Sequence, residues 1–342
     1  MAKVLVTGGA GFIGSNFVAS ALREHPDWEI TTLDKLTYAG RLENLRDVMH
    51  HPRHRFIRGD VTDGAVAGPL VKASDIVVHF AAETHVDRSI QDAGAFIQTD
   101  VYGTFVLLDA ARASGTLRMF VQISTDEVYG SVEIGASKET DELRPRNPYS
   151  ASKAGADRLA FSYWSTYGVP VIITRASNNY GPRQFPEKVI PLFITHALDN
   201  RPLPLYGDGR HVRDWLHVSD HCRALDLLIE KGVSGQTYNI GGGTEVRNID
   251  LTHQILELVN RPASLIQQVP DRLGHDRRYA LDTTKLRAIG WRPRTAFEEG
   301  LRATVAWYRD NEWWWRPIKD RDPAFRTYYE TQYGRQSTIQ NS

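Results

Sequence analysis

The stretch Lys3-Val-Leu-Val-Thr-Gly-Gly-Ala-Gly-Phe-Ile-Gly14 decides the fold. Its apolar start predicts a β-strand, and the glycines that follow predict a tight turn into a helix that extends to Arg23. Gly9, Gly11 and Gly14 have the spacing G-x-G-x-x-G, in which one glycine turns the chain, one admits a pyrophosphate and one packs the helix on the strand. The free N–H groups of that helix would bind the phosphates. The stretch therefore predicts a dinucleotide-binding α/β fold of the Rossmann type, with a doubly wound parallel sheet.

A second predicted strand, residues 31–34, ends in Asp34. It lies about twenty residues after the glycines, where an acidic partner for a ribose 2′-hydroxyl is expected. Asp34 would repel a 2′-phosphate and so favours NAD over NADP, whereas the neighbouring Lys35 opposes this preference. The alternative interpretation is that Asp34 only caps a turn.

Further strands are predicted at residues 55–61, 75–80, 119–124, 171–175 and, as an added edge strand, 237–240. Asp60 at the end of the third strand is predicted to meet the adenine edge. The small residues after Phe80 allow close approach of a cofactor. This alternation of strands with helical segments is typical of a parallel sheet.

A candidate reactive centre combines the strand end Ser124-Thr-Asp-Glu-Val-Tyr-Gly130 with the segment Tyr149-Ser-Ala-Ser-Lys153. Asn147 and Pro148 predict that a helix begins just before Tyr149. Tyr149 and Lys153 then share a helix face, and we expect the ammonium to lower the pKa of the phenol. A surface pair is the alternative; the hydroxyl-bearing strand end and the glycine motif favour the catalytic interpretation.

The composition indicates an ordinary globular protein. The 342 residues predict about two domains, and Lys plus Arg equal Asp plus Glu at 41 each, so no net charge favours nucleic acid or an anionic membrane. The lone Cys222 has no disulfide partner and no metal-ligand neighbours, and no metal is predicted. We see neither a signal peptide nor an apolar run long enough to span a bilayer and expect a cytoplasmic protein.

After residue 180 the strand–helix alternation stops, which predicts a second, smaller, mixed α/β lobe that binds substrate. We assign residues 1–180 plus 217–243 to the dinucleotide-binding lobe, 181–216 plus 244–331 to the substrate lobe, and 332–342 to a flexible tail. Scattered positive charges suit a diphosphate, and the stretch Pro204-Leu-Tyr206 offers a platform for a nucleobase. Those charges are Lys188, Arg201, Arg210 and Arg213.

Two further features have competing interpretations. His85, Asp87 and Arg88 resemble a catalytic or metal-binding group, but one His with one Asp is not a ligand set, and a structural salt-bridged loop is favoured. Residues 99–112 and 149–167 predict helices with apolar residues on more than one side. Two such helices from each of two chains would form a four-helix homodimer interface, whereas packing within one subunit would explain the same residues.

Several motifs together resemble the extended short-chain dehydrogenase/reductases that act on nucleotide sugars: the glycine stretch, Tyr149-x3-Lys153, Asn178-Asn-Tyr-Gly-Pro182 and Arg213-Asp-Trp215. Ser124-Thr-Asp-Glu-Val-Tyr-Gly130, Ala81-Ala-Glu-Thr-His-Val-Asp-Arg-Ser89 and Gly274-His-Asp-Arg-Arg-Tyr-Ala280 are similar to those of the dTDP-glucose 4,6-dehydratase family, a group of hydro-lyases. The resemblance extends to about Tyr333. One departure is Leu273, where the family commonly has proline.

The resemblance implies three sets of site residues. The catalytic set is Thr125, Asp126, Glu127, Tyr149 and Lys153. The NAD-binding set is Gly8, Gly11, Phe12, Ile13, Gly14, Asp34, Lys35, Leu36, Thr37, Asp60, Val61, Phe80, Ala81, Ala82, Thr84, Thr99, Tyr149, Lys153 and Asn179. The set that binds dTDP-glucose is Thr84, Thr125, Asn178, Lys188, Val189, Pro204, Leu205, Tyr206, Arg213, Asn248, Asp271, Arg272, Gly274 and His275.

The implied reaction oxidises C4 of the sugar, eliminates water across C5 and C6, and returns the hydride to C6. Tyr149 would take the C4 hydroxyl proton, Glu127 the C5 proton, and Asp126 would protonate the leaving hydroxyl. Two alternatives stay open. A nucleotide-sugar 4-epimerase has no need of Asp126 and Glu127, and a non-enzymatic NAD sensor has no need of the Tyr149–Lys153 pair.

Overall fold

A computed structural model describes residues 1–333. Its strands are β1 Ala2–Thr7, β2 Trp28–Asp34, β3 His54–Arg58, β4 Ile76–His79, β5 Met119–Thr125, β6 Val171–Ala176, β7 Asn178–Tyr180, β8 Leu203–Tyr206, β9 Val212–His217, β10 Thr237–Ile240, β11 Glu245–Arg247 and β12 Ile266–Val269. Seven of them form one parallel sheet in the order β10-β6-β5-β4-β1-β2-β3, with β10 at an edge as predicted. The strand order reverses beside β1, and in doubly wound sheets ligands bind in the crevice at that point.

The helices are α1 Phe12–Glu24, α2 Gly64–Lys72, α3 Val86–Gln91, α4 Gly94–Phe96, α5 Gly103–Arg112, α6 Pro148–Tyr167, α7 Val189–Leu198, α8 Val218–Lys231, α9 Asn248–Val259, α10 Thr284–Ala288, α11 Phe297–Asp310, α12 Glu312–Arg321 and α13 Pro323–Tyr333. Residues from α1 and α8 bury an apolar core on one face of the main sheet, and residues from α2, α5 and α6 do so on the other. The doubly wound α/β fold predicted from the sequence is confirmed.

A π-helical segment, Ile97–Tyr102, lies between α4 and α5. The sequence predicted one regular helix here. The wider π turn carries Thr99 and Asp100 beside α6. Segments of this kind occur often at functional sites.

Apart from the main sheet, the described residues form two small sheets, β11-β9-β7 and β12-β8, and a separate core rich in aromatic side chains. β7 comes from the end of the segment that we assigned to the first lobe, but it pairs with β9. The aromatic-rich stretch 307–315 is divided at Asn311 between α11 and α12.

The predicted tail overlaps the described chain only at Gln332 and Tyr333, which end α13; its other residues lie outside the described range. Within residues 1–333, no helix combines the length and apolar character needed to cross a bilayer.

Candidate active site

The glycine turn forms a backbone cradle with no room for side chains. A Cβ on Gly14 would lie 2.4 Å from the carbonyl oxygen of Gly8, and one on Gly8 would lie 2.5 Å from the amide nitrogen of Ala81. Gly11 precedes α1 without a side-chain cap, so the first N–H groups of the helix are left open toward the cleft. Close backbone approach and free N–H donors are what a pyrophosphate requires, so the cradle fits a dinucleotide.

Asp34 lies at the end of β2, lines the main cleft and is 8% exposed. One carboxylate oxygen accepts from the N–H of Ala10 at 2.9 Å and the other from the N–H of Leu36 at 2.8 Å. Burial raises the pKa of Asp34, and the two backbone hydrogen bonds oppose that rise. Asp34 therefore both ties down the turn and presents an acceptor to the cleft, so the two interpretations are compatible in geometry.

The ammonium of Lys35 lies 2.6 Å from the carboxylate of Asp60. Hydrogen bonds from Lys35 and Thr62 lower the pKa of Asp60 against its partial burial. The charge of Lys35 is thus paired with an acid at the same end of the cleft. Lys35 is therefore less available to bind the 2′-phosphate of NADP, and the preference for NAD is strengthened.

The main cleft has a volume of about 300 Å³ and is lined from the glycine turn to α6. Every predicted NAD-binding residue except Leu36 lines it. The same cleft is lined by all five predicted catalytic residues, Thr125, Asp126, Glu127, Tyr149 and Lys153. Leu36 has φ 59° and directs only its backbone N–H to Asp34.

The adjacent carboxyls of Asp126 and Glu127 begin a short 3₁₀ helix immediately after β5. Thr125 caps this helix, accepting from the Glu127 N–H at 3.3 Å and donating to Asp126 Oδ1 at 3.1 Å. Asp126 is 3% exposed, and its Oδ2 has no hydrogen-bond partner in the described structure. One oxygen of Asp126 is therefore free in the cleft.

The pKa values of Asp126 and Glu127 are affected by different charged neighbours. Burial and the neighbouring Glu127 hold the pKa of Asp126 well above its usual range. Burial also raises the pKa of Glu127, but Arg272, Arg213 and Lys188 oppose that rise. Environments that separate two neighbouring carboxyls favour a protonated acid beside an ionised base.

Tyr149 and Lys153 lie on the first turns of α6, where a capping box between Asn147 and Ser150 and the proline at position 148 match the predicted helix start. The Lys153 ammonium donates to the Ile123 carbonyl at 2.7 Å, and burial lowers its pKa. Our expectation for Tyr149 is wrong for this structure. Burial, followed by Glu127 and Asp100, holds its pKa well above the ordinary value, because desolvation of a phenolate and nearby negative charge outweigh a lysine four residues away.

A second cleft of about 160 Å³ adjoins the first and contains most of the predicted sugar-nucleotide residues. Lys188 donates to the Thr84 carbonyl at 2.7 Å, and Arg213 to the Asp276 carbonyl at 3.0 Å. Arg201 and Arg210, which we included among the diphosphate charges, do not line it; both are exposed. The predicted residues that line one or both clefts are Thr84, Thr125, Asn178, Lys188, Val189, Pro204, Leu205, Tyr206, Arg213, Asn248, Arg272 and His275.

Asp271 and Gly274 belong to the loop of residues 271–275, and neither of them lines the cleft. Asp271 lies 2.6 Å from Nδ1 of His275 and 3.3 Å from Nε2 of His211, and the two imidazoles stack at 3.6 Å. Their ligand atoms fall within 4.8 Å of one another, a spacing that a metal could use. Arginines, first Arg272 and then Arg213, lower the pKa of His275 after burial, and this positive field opposes a dication and suits a diphosphate.

The salt bridge that we favoured at the segment of His85, Asp87 and Arg88 is present, but Asp87 and Arg88 lie on helix α3 and not in a loop. Arg88 pairs with the buried Glu187 at 3.0 Å, and Asp87 accepts from the hydroxyls of Tyr206 and Tyr328, each at 3.2 Å. His85 and Asp87 also line the second cleft, which the sequence interpretation did not anticipate.

Other lining residues escaped prediction because distant segments contribute them. The main ones are Glu83, Gln184, Glu187, His221 and Tyr333. Glu187 could have been predicted, because it precedes Lys188, which we had already assigned to the substrate site. His221 could not: it lies on an ordinary amphipathic helix, and nothing in its neighbouring sequence indicates its contact with Asn179 at 3.0 Å.

A dinucleotide cradle, a Tyr-x3-Lys helix and an adjoining basic cleft are together the arrangement of the extended short-chain dehydrogenase/reductases. The family model described as GDP-mannose 4,6 dehydratase matches residues 5–304. A dTDP-glucose 4,6-dehydratase from an Actinoplanes strain is 53% identical over 92% of this chain and 99% of its own length.

Solved structures of nucleotide-sugar enzymes have the same fold as this chain. A dTDP-glucose 4,6-dehydratase from Streptomyces venezuelae, solved with NAD bound, has a TM-score of 0.91 at 50% identity over 93% of this chain and 100% of its own. A UDP-glucose 4-epimerase from Thermus thermophilus has a TM-score of 0.83 at 33% identity over 90% of this chain and 99% of its own. This chain belongs to the dTDP-glucose 4,6-dehydratase family.

Proposed function

We propose that this protein converts dTDP-glucose to dTDP-4-keto-6-deoxyglucose and water with NAD as a cofactor that ends the cycle unchanged. The observation that carries the proposal is the pair Asp126 and Glu127, which line the same cleft as Tyr149 and Lys153. Reversible oxidation at C4 alone requires no such acid–base pair. The membership of the family and the NAD-bound relative support the same reaction.

The two lobes divide the ligands between them. The cradle at Gly8–Gly14 and the acceptor Asp34 hold NAD, and Lys188, Arg213 and Arg272 hold the diphosphate of the sugar nucleotide. Residues 1–180 plus 217–243 form the NAD lobe, and residues 181–216 plus 244–331 form the sugar-nucleotide lobe. When bound, the cofactor would supply a temporary acceptor for the C4 hydride, which is returned to C6 while a proton is returned to C5.

Tyr149 removes the proton of the C4 hydroxyl while Thr125 orients that hydroxyl. Because burial holds the pKa of Tyr149 high, the phenol needs positive charge beside it to ionise. Lys153, one turn further along α6, is the cation that the chain supplies for this purpose. The resulting 4-ketone acidifies the hydrogen on C5.

Glu127 then removes the C5 proton, and Asp126 donates a proton to the departing C6 hydroxyl. Asp126 suits the acid role because burial and Glu127 favour its protonated form. Glu127 suits the base role because Arg272 and Arg213 favour its ionised form. Both pKa values are raised, but the larger rise at Asp126 and the basic side chains around Glu127 favour the acid role for Asp126 and the base role for Glu127.

The proposal includes a homodimer. Exposed apolar side chains occur on the π segment, α5 and α6: Ile97 at 53%, Tyr102 at 45%, Phe105 at 39% and Phe161 at 37%. Pairing these helices with those of a second copy would bury them in a four-helix interface. Sedimentation should give twice the mass of one chain; a monomer would remove this part of the proposal.

A cytoplasmic location belongs to the same proposal, since activated sugars and NAD are cytoplasmic metabolites.

An assay of glucose activated with dTDP, UDP, CDP and GDP, run side by side, tests the proposed function. We expect dTDP-glucose to give a product lighter by one water and the other nucleotides to react more slowly. An isomer of the substrate would identify an epimerase, and absence of turnover with every substrate would favour a binding protein.

A further inference from the structure

Asp100 is a buried carboxylate that the proposed mechanism does not use. It lies on the π segment Ile97–Tyr102 and is 1% exposed. Its Oδ2 accepts from the Ser152 hydroxyl at 2.6 Å, and its Oδ1 accepts from the Glu83 N–H at 2.8 Å. Both oxygens therefore have a partner, and the partners come from two different segments.

Those two segments both border the main cleft. Ser152 lies on α6 between Tyr149 and Lys153, and its hydroxyl also reaches the Tyr149 carbonyl at 2.8 Å. Glu83 follows β4 in the loop that lines the cleft. One carboxylate thus holds the turn of α6 that carries Tyr149 and Lys153 against the loop that follows β4.

The backbone of Asp100 extends this connection into the sheet. Its carbonyl accepts from the Thr104 hydroxyl at 2.5 Å, Thr104 contacts His79 Nε2 at 3.0 Å, and His79 Nδ1 contacts the Thr7 hydroxyl at 2.7 Å. Thr7 ends β1 directly before the glycine turn. A continuous buried polar chain therefore joins α6 to the strand that carries the cradle.

The charged and titratable groups that face Asp100 come from three elements. Lys153 and Tyr149 lie on α6, Glu83 lies in the loop after β4, and His79 lies on β4, where burial lowers its pKa to about 3 and keeps it neutral. Burial raises the pKa of Asp100 to about 7, with Lys153 opposing. Asp100 in turn favours the charged form of Lys153 and opposes ionisation of Tyr149.

We propose that Asp100 is a positioning residue for C4 oxidation: it clamps Ser152 to the Glu83 loop, and its charge acts on the Tyr149–Lys153 pair. The inference rests on the proposed function, because it concerns the step in which Tyr149 takes a proton. Asp100 thus has two roles: its hydrogen bonds hold Ser152 and the Glu83 loop together, and its negative charge acts on Tyr149 and Lys153. Two substitutions separate these roles.

Asp100→Asn removes the charge and can keep the clamp, since its oxygen can accept from the Glu83 N–H and its nitrogen can donate to the Ser152 oxygen. Ser152→Ala removes the clamp to α6 and keeps the charge. Ser162→Ala is the matched control, because Ser162 is an exposed serine of the same helix that bonds only the Leu159 carbonyl.

The measurements are the pH profile of C4 oxidation in single turnovers, followed by the absorbance of the reduced nicotinamide, and the infrared band of protonated carboxyls. For Asp100→Asn we expect the acid limb to move down by roughly half a pH unit or more and a carboxyl band that titrates near neutrality to disappear. For Ser152→Ala we expect a roughly tenfold slower oxidation with an unmoved acid limb. Ser162→Ala should match the wild type.

An Asp100→Asn protein with the wild-type pH profile and the full infrared titration would overturn the charge role, and Ser152→Ala at the wild-type rate would overturn the clamp. Either result leaves the proposed function intact if the wild type still oxidises C4. A wild type that binds NAD and dTDP-glucose but never oxidises C4 would overturn the proposed function and this inference with it.

Discussion

The hydroxyl of Tyr279 lies 3.5 Å from Oε2 of Glu127 while it donates to Asp276 at 2.7 Å. Tyr279 follows the loop of residues 271–275, and its ring packs under the Arg213 guanidinium at 4.5 Å. Glu127, the proposed base at C5, is thus in contact with a segment that also contacts Arg213, one of the residues proposed to bind the diphosphate. Since its one proton goes to Asp276, the Tyr279 oxygen can accept from Glu127 once Glu127 is protonated.

Tyr279→Phe should slow the elimination about tenfold, because Glu127 loses a neighbour that fixes its geometry. C4 oxidation should keep its wild-type rate. Rapid-quench analysis of sugar intermediates separates the two steps. Tyr180→Phe is the matched control, as it removes a buried hydroxyl that bonds only the Phe297 carbonyl; equal losses in both variants would deny Tyr279 a special role.

Asp126→Asn and Glu127→Gln should each reduce the elimination by roughly 10²–10⁴-fold, the range of a positioned acid or base. Oxidation at C4 should suffer less, because Tyr149 and Lys153 are unchanged. Mixing either variant with dTDP-glucose should therefore leave the nicotinamide in its reduced, absorbing state. Elimination at the wild-type rate would refute the assigned roles.

The ion pair between Asp157 and Arg175 is buried, at 2.8 Å. Asp157→Ala should lower the free energy of unfolding by about 3–5 kcal/mol, because it leaves the guanidinium of Arg175 buried with its charge uncompensated. Arg158→Ala is the control: Arg158 pairs with the same carboxylate but is about half exposed, so its loss should cost about 1 kcal/mol or less. Urea denaturation measures both, and equal costs would contradict the assignment.

The same pair makes stability depend on pH. Hydrogen bonds and charge from Arg175 lower the pKa of Asp157 in the folded state against the effect of burial. Its contribution is therefore fully present above the unfolded pKa of about 4 and is lost as pH falls through the lower, folded value.

Gly14→Ala should abolish retention of NAD and lower stability, because the new Cβ would lie 2.4 Å from a backbone oxygen that cannot withdraw. Gly68→Ala is the matched control, since a Cβ there meets nothing within 4 Å. It should stabilise the helix by roughly 0.5–1 kcal/mol. Thermal unfolding with and without added NAD checks both variants, and NAD-dependent stabilisation of Gly14→Ala would contradict the cradle.

What the sequence predicted well was local. The glycine spacing, the strand ending in Asp34 and the helix start before Tyr149 each depend on neighbouring residues, and each is found where it was expected. The resemblance added Thr125, Asp126 and Glu127, which do face the cleft.

What the sequence missed depends on burial and on distant contacts. The direction of the Tyr149 pKa shift follows from desolvation and from Glu127 and Asp100, which spacing along one helix cannot show. Tyr333, placed in the flexible tail, lines the second cleft through its contact with Tyr206 at 3.3 Å, 127 residues away in the chain. The sequence does not predict the break between α11 and α12 at Asn311, because the apolar pattern continues on both sides of it.

The most direct test of the account is the fate of isotopes in one turnover of dTDP-glucose. With deuterium at C4 in ordinary water, we predict a product that carries deuterium at C6 and has lost its C6 hydroxyl; with unlabelled substrate in deuterated water, we predict deuterium at C5. A product that keeps the C6 hydroxyl, inverted at C4 and with no solvent deuterium at C5, would contradict it.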